Sequence, residues 1–368
     1  MSLLSFIHSN STIRLLFLVS ALAALGSCKK VEVYQGGNNH EISFSPSLSC
    51  LETKADTEFR KSAKFFTYAW YLPDGKIWDN NKAEAKLYID KAEVGYHSKE
   101  NPPFVNYSWH ADQVYYWPKG GSLTFFSYTC LSGAEFYSPA ITPGNSSECV
   151  FYKNEGLSIK PFPTEMNCGQ DFDLLVAKVN QACDMKYDSK RVPTRFEHKL
   201  TKISFFVTLN VQTTDKYKLT GLKLTDIFMQ GEYYGGGYDN DYWEKPQSLA
   251  SDYSMFKSAP EDIPSVNPIE IRSDKFVQVS DNNVIPQTLL PYTASQWSAR
   301  ENTVKLKISY TKNDKPQSDI IIDFGKKEEK WRMGTHYKYT IKFGGTTKSD
   351  SDGSAPVVQL TTDVSPWL

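Results

Sequence analysis

Apolar and polar side chains alternate with a period of two through much of the chain. In TRFEHKLTKISFFVTLNV (194–211), Ile203, Phe205, Val207, Leu209 and Val211 fall on one face, and Lys202, Ser204, Thr208 and Asn210 fall on the other. A half-buried strand has that pattern. TVKLKISYT (303–311) repeats it with Val304, Leu306, Ile308 and Tyr310 inward. HYKYTIKF (336–343) does so with Tyr337, Tyr339, Ile341 and Phe343. Earlier strands are read in EISFS (41–45), in SLTFFSYT (122–129) behind the turn signal Pro118-Lys119-Gly120-Gly121, and in DFDLLVAKV (171–179). No window of helical length sustains a 3.6 period, although NNKAEAKLYIDKAE (80–93) has room for a turn or two of helix. Short strands separated by Gly, Pro, Asn and Ser clusters predict an all-β sandwich architecture.

A chain of 368 residues is long enough for two compact units. The polar, Pro-containing stretch DSKRVPT (188–194) divides the strand blocks, giving an N-terminal unit over 41–190 and a C-terminal unit over 191–368. The 41 basic and 42 acidic residues nearly cancel, so charge offers no reason to expect a nucleic-acid partner.

The N-terminus speaks to location. Arg14 precedes the apolar run Leu15–Leu25, 11 residues long. That is too short to span a bilayer of about 30 Å as a helix and fits a signal-peptide core. Leu25-Gly26-Ser27-Cys28 resembles the lipobox of bacterial lipoproteins. The resemblance implies a signal peptide over 1–27, cleavage between Ser27 and Cys28, and acyl chains, palmitate among them, on Cys28. More than one chain at a site makes a stable membrane anchor. Lys29 and Lys30 stand where an inner-membrane retention signal would place Asp, which points to the outer membrane. Residues 28–40 then read as a polar tether. Five further cysteines, an odd number, leave at least one thiol free or intermolecular; Cys130 with Cys149, or Cys168 with Cys183, would close modest loops, and free thiols are an equal reading.

Candidate chemistry is sparse. The chain has no Gly-x-Ser-x-Gly elbow, no His-Glu-x-x-His and no phosphate-binding Gly-rich loop, so no catalytic residue, cofactor or metal site is assigned and the reading is of a protein that is not an enzyme. SDSDG (349–353) lacks the end ligands of a calcium loop. EYYGGGYDNDYW (232–243) is the most unusual loop: Tyr233, Tyr234, Tyr238, Tyr242 and Trp243 would make an aromatic platform for a sugar or protein if exposed, or pack on their own sandwich if not.

Read in order, the lipobox, YYWPKGGSLTFFSY, DLLVAK, FEHKLTKISFFV, MGTHYKYTIKF and the final SPW resemble the fimbrillin-like lipoproteins of Bacteroides-type pili. The resemblance spans most of the chain after Cys28. It implies two tandem transthyretin-like β-sandwiches, partnership with other fimbrillin-like subunits, contact with a host protein or glycan, and a lipid-anchored place on the outer membrane, at the cell surface or in a fimbrium. His198, in the aromatic-x-His-x-Leu pattern of Phe196 to Leu200, becomes a structural landmark whose replacement by Gln costs about 1 kcal/mol, one side-chain hydrogen bond. The family matures by a trypsin-like cut that frees the first strand; here Lys54 and Arg60 are the candidates, with Lys54 standing where arginine is expected. The C-terminal PVVQLTTDVSPWL offers Val358, Leu360, Thr362 and Val364 on one face as a donor strand. A surface glycan-binding lipoprotein using the Tyr233–Trp243 loop is the alternative.

Overall fold

The computed structural model describes residues 40–48, 57–101, 104–132, 135–137, 148–152, 156–163, 172–183, 191–210, 213–225, 227–236, 241–250, 253–254, 268–273, 277–279, 288–289, 304–323, 331–344 and 358–366. The described chain is almost entirely strand, as its period-two patterning requires. Its one α-helix is the single turn Trp78–Asn81, continued by a 3-10 turn at Lys82–Glu84. The helical room read in 80–93 ends there, because Lys86–Asn101 is one long strand. Among the described residues no helix is long and apolar enough to cross a membrane.

Nine strands form the first sheet. Its spine runs, in spatial order, through Arg195–His198, Phe172–Ala182, Ser122–Ser132, Lys64–Leu72, Lys86–Asn101 and Phe104–Ala111. The two faces of this sheet bury different clusters, because adjacent residues of a strand point opposite ways. One face sends Tyr68, Phe126, Tyr128, Leu174 and Val176 into a cluster with Leu157, Ile159, Tyr233 and Trp243. These last four come from a second, four-stranded sheet made of Glu148–Tyr152, Gly156–Pro163, Ile227–Gly236 and Tyr242–Ala250. The other face packs Phe65, Ala69, Leu123, Phe125, Leu175 and Ala177 against Ile42, Phe44, Phe59, Trp109, Val192 and Phe196.

A third cluster fills the C-terminal sandwich. One of its sheets is built on Thr201–Leu209, Thr335–Phe343 and Val358–Pro366, the other on Tyr217–Thr225 and Lys305–Lys312. Thr201–Leu209 and Thr335–Phe343 run parallel with Ile203 opposite Tyr337, Phe205 opposite Tyr339 and Val207 opposite Ile341, and these residues, with Leu209 and Phe343, are buried as the alternation has them; Val211 lies outside the described residues. Asn313 and Asp314, both at positive φ, make the two-residue turn that leads Lys305–Lys312 into Lys315–Pro316, the conformation Asn and Asp tolerate best after Gly.

Two expectations need correction. The division at 190/191 does not follow the pairing: Val192, Thr194 and Phe196 are fully buried in the first sandwich, and Ile227–Gly236 returns to pair with Gly156–Pro163. The DSKRVPT stretch is polar only in its first half; its Val192 and the following Phe196 alternate inward. The second correction concerns the outer face of Thr201–Leu209, where Ser204 and Thr208 are buried. Both hydroxyls are satisfied there, Ser204 Oγ at 2.8 Å from His336 Nε2 and Thr208 Oγ1 donating to the Arg272 carbonyl at 3.2 Å.

Candidate functional site

The candidate site lies in the strands at the two ends of the described chain. Residues 41–48 join both edges of the nine-stranded sheet. On one side Ile42 N–H donates to the Tyr115 carbonyl at 2.8 Å and Phe44 N–H to the Trp109 carbonyl at 2.9 Å. On the other, Ser45 N–H donates to Val192 at 2.8 Å and Ser47 N–H to Thr194 at 3.0 Å, while Val192 and Thr194 return bonds to Ser43 and Ser45. The segment is thus an extended stretch, strand at Ser47–Leu48 and bridged at Glu41 and Phe44, that is bonded along both its edges. Its alternation decides its packing: Ile42 and Phe44 are buried, whereas Ser45 is exposed. The Phe44 ring meets Phe65 and Phe125 edge-on, with centroids 5.6 and 5.8 Å apart, a favoured aromatic geometry.

Downstream, Phe59 is buried and stacks on Phe196 at 5.0 Å, and Arg60 is exposed immediately after it. Phe59 was missed in the sequence. A lone aromatic in the polar stretch ETKADTEFRKS was the available signal. Lys54, like Ser27 and Cys28, lies outside the described residues.

At the other end, Val358–Pro366 is the outer strand of its sheet, paired antiparallel along its whole length with Thr335–Phe343. Val358, Leu360, Thr362 and Val364 stand opposite Phe343, Ile341, Tyr339 and Tyr337. Val358 and Leu360 pack on the third cluster, but Val364 is 56% exposed. The strand therefore holds its sheet through backbone bonds and a half-buried face.

Between the sandwiches sits a buried polar joint. His198 Nδ1 lies 2.6 Å from Asp173 Oδ2, and both side chains are buried. No local pattern announced Asp173 as the partner, since it is supplied by the neighbouring strand Phe172–Ala182. Next to it, Lys199 Nζ contacts Asp241 at 2.6 Å and Glu197 at 2.8 Å. Burial opposes the charge on Lys199, yet these two carboxylates outweigh it and its pKa is raised. The His198 ring is turned into the buried Asp173 carboxylate.

The sequence model of the fimbrillin-like family matches residues 55–367. The chain belongs to the fimbrillin-like family. Among solved structures, a fimbrial protein from Bacteroides vulgatus is similar at 17% identity with a TM-score of 0.61, covering 89% of this chain and 100% of that one. A Bacteroides uniformis structure given as a cell adhesion protein is similar at 11% identity with a TM-score of 0.48, covering 90% of this chain and 100% of that one. The first likeness supports the fold; the second carries no argument of its own. No curated protein matches the sequence.

In this fimbrillin-like chain the described aromatic residues of 232–243 are held in strands. Tyr233, Tyr234 and Trp243 are buried; Tyr234 and Tyr242 stack at 5.0 Å, and Trp243 Nε1–H donates to the Lys199 carbonyl at 2.8 Å. Tyr238 lies outside the described residues. Tyr233 and Trp243 turn inward because Ile227–Gly236 is a central strand of the four-stranded sheet, bonded on both edges, and its inner face covers the first sheet, whereas the adjacent Tyr234 and Tyr242 pair on the other face. Cys130 is buried, and Cys183 is a buried free thiol, which sets aside its pairing with Cys168. Burial, with Asp74 nearby, pushes the Cys183 thiol up to about 12, so it stays protonated and unreactive.

Proposed function

We propose that the chain is a lipid-anchored subunit or accessory component of a cell-surface fimbrium, held in the outer membrane through Cys28, and that it assembles by strand exchange after proteolysis. The observation that carries this reading is the N-terminal strand, which is bonded on both edges and inserts Ile42 and Phe44 into a core. It is followed by the exposed Arg60. A cut after Arg60 detaches Ile42, Phe44 and Phe59 together, whereas a cut after Lys54 leaves Phe59 in place. Removing the strand exposes an apolar groove whose two backbone edges are unpaired, an arrangement that recruits an extended peptide from outside. The C-terminal segment of another subunit, with Val358, Leu360, Thr362 and Val364 at alternate positions, is the donor in this proposal. Among the described residues it is held in its own sheet on one edge, so the exchange replaces a half-buried strand with a better buried one.

Limited digestion of the purified protein with a trypsin-like protease tests the mechanism, read by N-terminal sequencing and size-exclusion chromatography. Oligomers are expected after cleavage at Lys54 or Arg60 and not in a variant truncated before Pro356. A chain that is cleanly cut and stays monomeric refutes strand exchange. The anchor is tested separately: Cys28→Ala is expected to abolish incorporation of a fatty-acid analogue.

A further inference from the structure

Residues 191–196 lead into the strand Arg195–His198 and alternate in exposure. Arg191, Pro193 and Arg195 are exposed, while Val192, Thr194 and Phe196 are fully buried. The backbone of the buried positions is held by the N-terminal strand. Val192 N–H donates to the Ser43 carbonyl at 2.8 Å and Thr194 N–H to the Ser45 carbonyl at 3.1 Å, and the carbonyls of Val192 and Thr194 accept from Ser45 at 2.8 Å and Ser47 at 3.0 Å. The opposite edge holds the segment less. Pro193 has no N–H to donate there, and among the described residues the ladder to Phe172–Ala182 takes in only Glu197 and His198.

The side chains depend on the same neighbours. Val192 and Phe196 sit in the cluster that Ile42, Phe44 and Phe59 complete, and the Phe196 ring stacks on Phe59 at 5.0 Å. A protease takes its substrate as an extended stretch around the scissile bond, so an exposed arginine is cut only when the backbone beside it opens. In the folded chain the Arg191 side chain is exposed, but residues 192–194 on its C-terminal side are bonded to another segment and anchored by two buried side chains. Detaching the N-terminal strand removes all of those bonds. A cut after Arg60 also takes away the ring stacked on Phe196.

We propose that the Arg191–Val192 peptide bond is a conditional second cleavage site for a trypsin-like protease, closed while the N-terminal strand is seated and opened when that strand is lost. Water adds across the bond: its hydroxyl joins the Arg191 carbonyl carbon, the C–N bond breaks, and a proton goes to the Val192 nitrogen. The site rests on the proposed loss of the N-terminal strand by proteolysis and gives that loss a second consequence. A strand seated in the vacated place restores the bonds to Val192 and Thr194 and closes the site again. The protease that releases the strand therefore also destroys a subunit whose groove stays empty, and it spares one whose groove is filled.

Digestion of the full chain with an arginine-specific endoprotease, at a dilution that keeps the cut chain monomeric, tests the site, with each new terminus followed over time by mass spectrometry. Cleavage after Arg60 is expected first, and cleavage after Arg191 only behind it. Arg60→Lys keeps the charge but is not cut by this protease, and cleavage after Arg191 should slow by about tenfold or more. Adding Phe44→Ala to Arg60→Lys loosens the strand without a cut. Cleavage after Arg191 should then rise by about tenfold or more over Arg60→Lys alone, while cleavage after the exposed Arg332 of the C-terminal sandwich keeps its rate. A synthetic peptide of residues 41–59, added to wild type already cut after Arg60, should suppress the Arg191 cut. Equal Arg191 rates in wild type and Arg60→Lys, no gain from Phe44→Ala, an equal gain at Arg332, or a peptide that gives no protection overturns the proposal. None of these readouts needs oligomers to form, so a cut chain that never assembles refutes strand exchange and leaves the conditional site standing.

Discussion

Replacing Phe44 with Ala probes the strand that closes the first sandwich. The ring is fully buried and makes edge contacts with Phe65 and Phe125, so the substitution removes a large apolar side chain from a packed interior and leaves a cavity. Such changes cost about 3–5 kcal/mol, a large part of the roughly 5–15 kcal/mol that holds a domain folded. The neighbouring position supplies the control. Ser45 is exposed on the opposite side of the same strand, and Ser45→Ala is expected to change stability by less than about 0.5 kcal/mol. Native-state hydrogen exchange read by mass spectrometry is the assay, because two sandwiches need not unfold in a single transition. A loss of that size speeds exchange through opening of the first sandwich by about two to four orders of magnitude. Peptides covering 41–48, 104–117 and 192–198 should show it, and peptides covering 305–312 and 335–343 should keep their protection. A cost below about 1 kcal/mol, or an effect equal to that of Ser45→Ala, would refute the reasoning that this strand is a core element.

His198→Ala leaves the fully buried Asp173 carboxylate without its imidazole and is expected to cost about 3–5 kcal/mol in chemical denaturation, well above the single hydrogen bond expected from sequence; adding Asp173→Asn should recover part of that loss. Burial, together with Lys202 and Lys338, pushes the His336 pKa down to about 3. The unfolded imidazole takes up a proton below about pH 6.5 while the folded one stays neutral, so the unfolded state binds more protons and stability falls as pH drops from about 6.5 toward 3. Between pH 6 and 5 the loss approaches about 1 kcal/mol per pH unit, and equilibrium denaturation of His336→Gln should show a shallower slope there. Gly121 sits at φ +87 with the Leu72 carbonyl against any Cβ, whereas Gly75 at φ +77 has open space around it. Gly75→Ala should therefore cost only the left-handed penalty of about 1–2 kcal/mol, and thermal unfolding should show Gly121→Ala to be distinctly worse.

The alternation in the sequence determined which segments are strands and which side chains face inward, because a strand's side-chain period is a local property of the backbone. Ile203, Phe205 and Val207, Leu306 and Ile308, and Tyr339 and Ile341 are all buried where the pattern put them. The ordered motifs also determined the family. Partner choice was another matter. Whether Ile227–Gly236 pairs with Gly156–Pro163 or with its own half of the chain depends on which apolar faces meet, and no local pattern encodes that. The same pairing decided between the two readings open for Tyr233 and Trp243 and made them core residues. Tertiary structure alone brought Asp173 to His198 and placed residues 41–48 between two sheet edges. Each of these contacts is fixed by register between strands distant in sequence, and register is a consequence of packing many side chains at once.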